Sequence, residues 1–183
     1  MGMLTETIEK KTVNDYEELP EGAPYQLING ELVMNPAPHF FHQQLVMRLA
    51  NKFFMFVEKN SLGEIVASPV DVYLFEMEVY QPDIVYIAKE RLGIIVDGRI
   101  KGAPDIVVEV LSPSTGYYDL SHKKNVYESS GVKEYWIVYP QEEIIEVFEN
   151  VSGEFQQVAR VKRQGEVASK LLQGFSVSLA DIF

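Results

Sequence analysis

A chain of 183 residues, 46% hydrophobic and 23% charged, has the length and composition of one domain with a full core, not of a disordered or fibrous protein. It has no cysteine, which excludes disulfides, thiolate zinc sites and cysteine nucleophiles and fits a reducing, cytoplasmic location. The net charge of −11 counts against broad attraction to nucleic acid, which needs a positive face, but leaves room for a local site.

No apolar run approaches the ~18 residues of a membrane span, so no membrane partner is expected. Residues 1–18 lack the apolar stretch of a signal peptide. Residues 1–11 are polar and expected to fray, and no linker divides the chain, so residues 1–183 are expected to form a single domain. Asn14 or Asp15 is placed to cap a short helix running through Leu19, which Pro20-Glu21-Gly22 ends. Tyr25-Gln26-Leu27-Ile28 and Leu32-Val33-Met34 flank Asn29-Gly30, a strong hairpin signal. Pro36-Ala37-Pro38 breaks the chain before a long helix from about His39 to Glu58. Phe41, Leu45, Leu49 and Phe53 recur every fourth residue there, with Val46 and Phe56 widening a stripe suited to packing on a sheet.

Strand signals follow at Ile65-Val66, Pro69 to Leu74 and Val79 to Ile87. Residues 88–101 read as a loop with a turn at Asp97-Gly98. Lys89, Arg91, Arg99 and Lys101, and again Arg160, Lys162 and Arg163, form basic clusters that read as solvated surface or as a phosphate path. Asp105 to Leu111 is a strongly apolar run suited to a strand buried on both faces, ended by Ser112-Pro113-Ser114-Thr115-Gly116. A helix is predicted from about Leu120 to Ser130 with Gly131 as its C-cap. Glu134 to Tyr139 is a central strand, and Ile144 to Phe148 with Phe155 to Val161 form a hairpin around Ser152-Gly153. The aromatic-rich tail (Phe148, Phe155, Phe175, Phe183) would complete the core or supply an interface. Together these elements predict an α/β (α+β) fold, a central mixed sheet flanked by helices.

Two acidic segments stand out. Asp83 follows Pro82 in an apolar segment, and Asp105 and Glu109 lie in Pro104-Asp-Ile-Val-Val-Glu-Val110. Strand formation is favoured there and charge is normally avoided. Alternation along a strand puts Asp105, Val107, Glu109 and Leu111 on one face. An enclosed Glu109 needs a partner, and a metal ion or a lysine would serve. If the two strands are neighbours, Asp83 and Glu109 approach closely enough to share one cation. Asp105, at the strand entrance after Pro104, is more readily a capping or exposed aspartate than a metal ligand. At about 100° per residue, Leu120, Val126 and Tyr127 define one side of the following helix. Lys123 projects near its middle and Lys124 roughly 100° away. An inward lysine is costly unless it meets an anion. Two carboxylates and a lysine at one sheet edge would suit a divalent metal and phosphodiester hydrolysis.

Asp83 in Gln-Pro-Asp-Ile-Val, Glu109 in Pro-Asp-Ile-Val-Val-Glu-Val-Leu-Ser-Pro-Ser-Thr, Asp119-Leu-Ser-His-Lys123, Tyr127 and Gly131-Val-Lys-Glu-Tyr-Trp-Ile-Val together resemble the Uma-type family of proposed restriction endonucleases, within the PD-(D/E)XK nuclease superfamily. Gln26-Leu-Ile-Asn-Gly-Glu-Leu and Pro38-His-Phe-Phe-His42 resemble that family's opening hairpin and first helix, so the likeness runs from about Tyr25 to Pro140, and more weakly to the C-terminus. The resemblance implies a restriction-endonuclease-like core with its site at the opening of the sheet. It makes Asp83 the first metal-binding acid and Glu109 the second, with the backbone carbonyl of Val110 as a third ligand to Mg²⁺, for which Mn²⁺ would substitute. Many superfamily relatives carry lysine two residues after the second acid, where this chain has Leu111; the family supplies it from the next helix, which matches Lys123. His42 and Glu31 fall where some relatives place an extra polar site residue. The implied activity is Mg²⁺-dependent endonucleolytic hydrolysis of DNA, leaving a 5′-phosphate and a 3′-hydroxyl, with a homodimer as a common way to cut both strands. The alternative is a non-catalytic nucleic-acid-binding or regulatory module on the same fold, which the acidic charge favours. No Gly-x-Gly-x-x-Gly, Walker or Gly-x-Ser-x-Gly motif supports a nucleotide-cofactor enzyme or a serine hydrolase.

Overall fold

A computed structural model describes residues 10–112 and 117–183 of the chain. In chain order the elements are α1 (Val13–Glu17), β1 (Tyr25–Ile28), β2 (Glu31–Met34), α2 (Phe40–Asn60), β3 (Gly63–Ala67), β4 (Val72–Phe75), β5 (Glu78–Tyr80), β6 (Ile84–Ala88), β7 (Ile95–Val96), β8 (Arg99–Lys101), β9 (Ile106–Val110), α3 (Tyr117–Ser130), β10 (Glu134–Tyr139), β11 (Ile144–Val151), β12 (Glu154–Lys162), β13 (Glu166–Ala168) and β14 (Ser176–Ser178). The expected strand terminator at 113–116 lies outside the described residues.

The central sheet has the order β12-β11-β10-β9-β6-β3. It is mixed, because β9 and β10 run parallel while the other neighbours are antiparallel. The parallel pair is joined through α3, the crossover such a pair requires. On one face α2 lays Leu45, Leu49, Phe53 and Val57 against Ile84, Val108 and Trp136, and the C-terminal segment adds Phe175, Val177 and Ile182. Each fully buried aliphatic or aromatic side chain there contributes about 1.5–3 kcal/mol. Of the two expectations for the aromatic tail, the core one describes Phe175, which packs 4.3 Å, ring to ring, from Phe53. The predicted stripe on α2 holds from Leu45 onward. Phe41 departs from it, being 46% exposed, because it stands in the first turn of the helix.

The opposite face packs Val85, Val107, Tyr135 and Ile137 against Val126 and Tyr127 of α3 and against a second sheet. That sheet has the order β2-β1-β5-β4-β8-β7. Three expectations are corrected here. The segment Val79 to Ile87 is not one strand: β5 belongs to the second sheet and β6 to the central one, and the chain crosses between them at 81–83. Pro82, which lacks an N–H, stands at that break. Residues 88–101 are not a plain loop, since the turn at Asp97-Gly98 closes the small hairpin β7/β8, with φ of 51° and 74°. Helix α1 is capped by Thr12, whose N–H donates to Asp15 Oδ2 at 2.7 Å, rather than by Asn14 or Asp15.

The predicted Asn29-Gly30 hairpin is formed by β1 and β2. Within the stretch expected to fray, Lys11 is tied to it by an N–H donated to Gly30 O at 2.8 Å. A Cβ at Gly30 would stand 2.8 Å from Lys10 Cβ, so the close approach and the φ of +76° both require glycine. Among the described residues, no helix is long and apolar enough to cross a membrane.

Candidate functional site

Strands β6 and β9 pair antiparallel with Ile84 opposite Val108. One step further along this register, Asp83 comes opposite Glu109. The Asp83 carboxylate lies at the end of the ladder and accepts the Val110 N–H at 2.8 Å through Oδ2. The Val110 carbonyl in turn meets His42 Nε2 of α2 at 2.7 Å. A carbonyl only accepts, so Nε2 carries the proton there. The same Nε2 is 3.4 Å from Asp83 Oδ2. Burial works against a charged His42 ring, but the Asp83 carboxylate and the Val110 carbonyl outweigh it and raise the pKa above its ordinary value. His42 Nδ1 is buried and meets no hydrogen-bond partner among the described residues.

Glu109 reaches toward α3 and is only 9% exposed. Tyr127 donates its hydroxyl to Glu109 Oε1 at 2.7 Å, and Lys123 Nζ stands 3.5 Å from the same oxygen. Tyr127 follows Lys123 by one helical turn, which is why both reach one carboxylate. Burial pushes the Glu109 carboxyl up, Lys123 pulls it down, and the Asp83 charge adds to the rise; the net pKa lies above the usual value. Burial and the Glu109 charge together push the Tyr127 hydroxyl well up, so it remains a donor. The structure therefore brings together Asp83, Glu109, Lys123 and the backbone of Val110, with His42 beside them.

Asp105 and Glu31 are placed elsewhere. Asp105 is fully buried at the opposite end of β9, four residues before Glu109 or roughly 13 Å along the strand. It accepts the Ala88 N–H at 2.8 Å and pairs with Arg91 at 2.8 Å and Lys133 at 2.7 Å. Burial raises its pKa, but these donors outweigh it and hold the pKa below the ordinary value. Its three partners make it an anchor for the chain around β9. Glu31 is exposed at the start of β2, an edge strand of the second sheet.

A layer of support under Lys123 was not singled out from the sequence. Lys123 Nζ lies 5.5 Å from the centre of the Tyr80 ring. The Tyr80 hydroxyl donates to Glu78 Oε2 at 2.7 Å, and that oxygen also accepts the Asn29 N–H at 3.0 Å. His122 Nε2 meets the other Glu78 oxygen at 3.0 Å. A carboxylate in the short apolar run Glu78-Val-Tyr80 was the available signal, of the same kind that marked Glu109.

Among the described residues, no group of three or more His, Asp or Glu side chains is arranged as a metal cluster. The donors at the end of β9 are two carboxylates and one carbonyl. That all-oxygen set fits a hard cation such as Mg²⁺, which keeps several waters and needs few protein ligands. The Val110 carbonyl has a second lone pair beyond the one His42 uses.

Comparison with known proteins agrees with this fold. A crystal structure described as "a putative nuclease belonging to DUF820 from Anabaena variabilis ATCC 29413" superposes with a TM-score of 0.79 at 20% identity, over 94% of this chain and 97% of the other. No curated protein matches the chain in sequence. The family model for Uma2, described as "Putative restriction endonuclease", matches residues 13–180. The chain therefore belongs to the Uma2 family, in keeping with a PD-(D/E)XK-like fold.

Proposed function

We propose that the protein is a Mg²⁺-dependent endonuclease that hydrolyses phosphodiester bonds of DNA. The observation that carries this reading is the convergence of Asp83, Glu109 and Lys123 on the end of β9, in a chain whose family model is described as "Putative restriction endonuclease". Asp83, Glu109 and the Val110 carbonyl would hold the ion, which when bound polarises the scissile phosphate and lowers the pKa of an attacking water. Lys123 places a positive charge beside Glu109, where it can orient that water or offset charge on the pentavalent phosphorus. Tyr127 holds Glu109 in orientation and favours its ionised form through a hydrogen bond. His42 fixes the direction of the Val110 carbonyl. Cleavage of a labelled DNA with Mg²⁺ or Mn²⁺, absent in EDTA and in Asp83→Ala, Glu109→Ala and Lys123→Ala, tests the proposal.

A second reading, a non-cutting binding or regulatory module, has one observation in its favour. Several basic side chains are already committed to carboxylates: Arg99 and Lys101 to Glu17, Arg91 and Lys133 to Asp105, and Arg160 to Glu146. Metal binding without cleavage would support it.

A further inference from the structure

Between the start of α2 and the ends of β9 and β10 lies a cavity of about 350 Å³, lined by His39, Phe41, His42, Leu111, Tyr139 and Pro140, with Gln141 and Glu142 among its polar groups. We propose that it binds one unpaired nucleobase of the substrate strand beside the scissile phosphate, so that the substrate is single-stranded or unpaired at the cut. This inference rests on the nuclease reading above.

The cavity is continuous with the candidate site. His42 lines it and also holds the Val110 carbonyl at 2.7 Å and approaches Asp83 to 3.4 Å. Leu111, another wall residue, directly follows Val110. A strand whose phosphate lies at Asp83 and Glu109 therefore has a neighbouring base within reach of the cavity.

Its chemistry suits a flat neutral ring. Among the described residues no lysine or arginine lines it, and Glu142 does, so it is poorly suited to a phosphate. Phe41 and the His39 imidazole, both exposed, offer π-faces on which any base can stack. Phe41, in the first turn of α2, is half exposed at this mouth. Its volume of about 350 Å³ leaves room for a base. Charge points the same way. With a net −11 and many cations already paired, the chain has limited means of holding DNA through phosphates, and stacking supplies affinity that does not depend on them.

The test is fluorescence anisotropy in EDTA, where no cutting intervenes. The probes are a labelled single-stranded DNA oligonucleotide, its abasic counterpart with the same phosphates, and the corresponding duplex. The wild type is expected to bind the base-bearing single strand about 10-fold tighter than the abasic one, and tighter than the duplex. Phe41→Ala should lose most of that preference and Phe41→Trp should keep it. Equal affinity of the wild type for base-bearing and abasic strands, binding to neither, or an unchanged preference in Phe41→Ala overturns the inference. The wild-type comparison decides even if a variant fails to fold. Mg²⁺-dependent cutting by a protein that ignores the missing bases would sink the base site and leave the nuclease reading standing. A base preference in a protein that never cuts would do the reverse.

Discussion

Lys123 Nζ stands 3.5 Å from Glu109 Oε1, with both side chains about nine-tenths buried. A buried ammonium and a buried carboxylate each offset the other's desolvation, and removing one leaves a costly charge behind. Lys124, the next residue, lies instead 3.6 Å from the centre of the Phe148 ring. Lys123→Ala is therefore expected to lower cleavage by about 100-fold or more, as loss of a group that stabilises transition-state charge does. Lys124→Ala should leave cleavage within a few-fold of wild type. Single-turnover rates on a labelled DNA check the pair, and equal losses would show that the buried lysine has no special part.

Tyr127 favours the charged form of Glu109 by donating to it at 2.7 Å. Burial already raises that carboxyl above its ordinary value. Removing the donor in Tyr127→Phe raises it further, so metal binding, which needs the carboxylate, should require a higher pH. A Mn²⁺ titration repeated across pH should show the midpoint of affinity moving up in the variant. Destabilisation of about 1–3 kcal/mol should accompany it, from the lost partner of a buried group.

How much of this was legible in sequence follows from what each residue answers to. Asp83 and Glu109 stood out because charge inside β-branched runs is rare, and Lys123 because helical phase is a local property. The Asn29-Gly30 hairpin and the helix before β3 were legible for the same reason: turn chemistry and periodicity act over a few residues. What was not legible depends on distant partners. Asp105 reads like Glu109 along the strand, and only Arg91 and Lys133, brought in by folding, make it an anchor. His42 reaches the Val110 carbonyl across 68 positions. The break of Val79 to Ile87 into two sheets was signalled by Pro82, but which sheet each half joins is a tertiary choice.

Asp105 supplies a pH prediction. Its folded pKa is lowered, so the stability it contributes is fully present above the unfolded value of about 3.9 and is lost as pH falls through the lower folded value. Asp105→Asn should cost about 2 kcal/mol at pH 7, since the amide cannot satisfy the two cations. The gap to wild type should close as pH drops below about 4, where the unfolded chain's carboxyl begins to take up its proton while the native one stays ionised until lower pH. Urea denaturation across pH measures it, and a gap that persists at low pH would contradict the anchor role.

Salt dependence tests the surface charges. Arg99 and Lys101 both pair with Glu17 and lie 5.7 and 5.8 Å from the Tyr73 ring centre. Replacing both with alanine should leave the salt slope of DNA binding unchanged. The wild-type slope should be small, about 2 to 5 in magnitude, because each phosphate neutralised adds about 0.9. A slope that falls in the double variant would place these two residues on the DNA path.

The proposed function stands on a metal site at the end of β9, built from Asp83 and Glu109. Calorimetric titration with Mn²⁺ of the wild type, Asp83→Ala, Glu109→Ala and the distant Glu31→Ala measures it directly. One site is expected in the wild type and in Glu31→Ala, with binding lost or weakened by at least about 10-fold in each of the other two. Equal binding in all four proteins, or binding lost in Glu31→Ala alone, would contradict it.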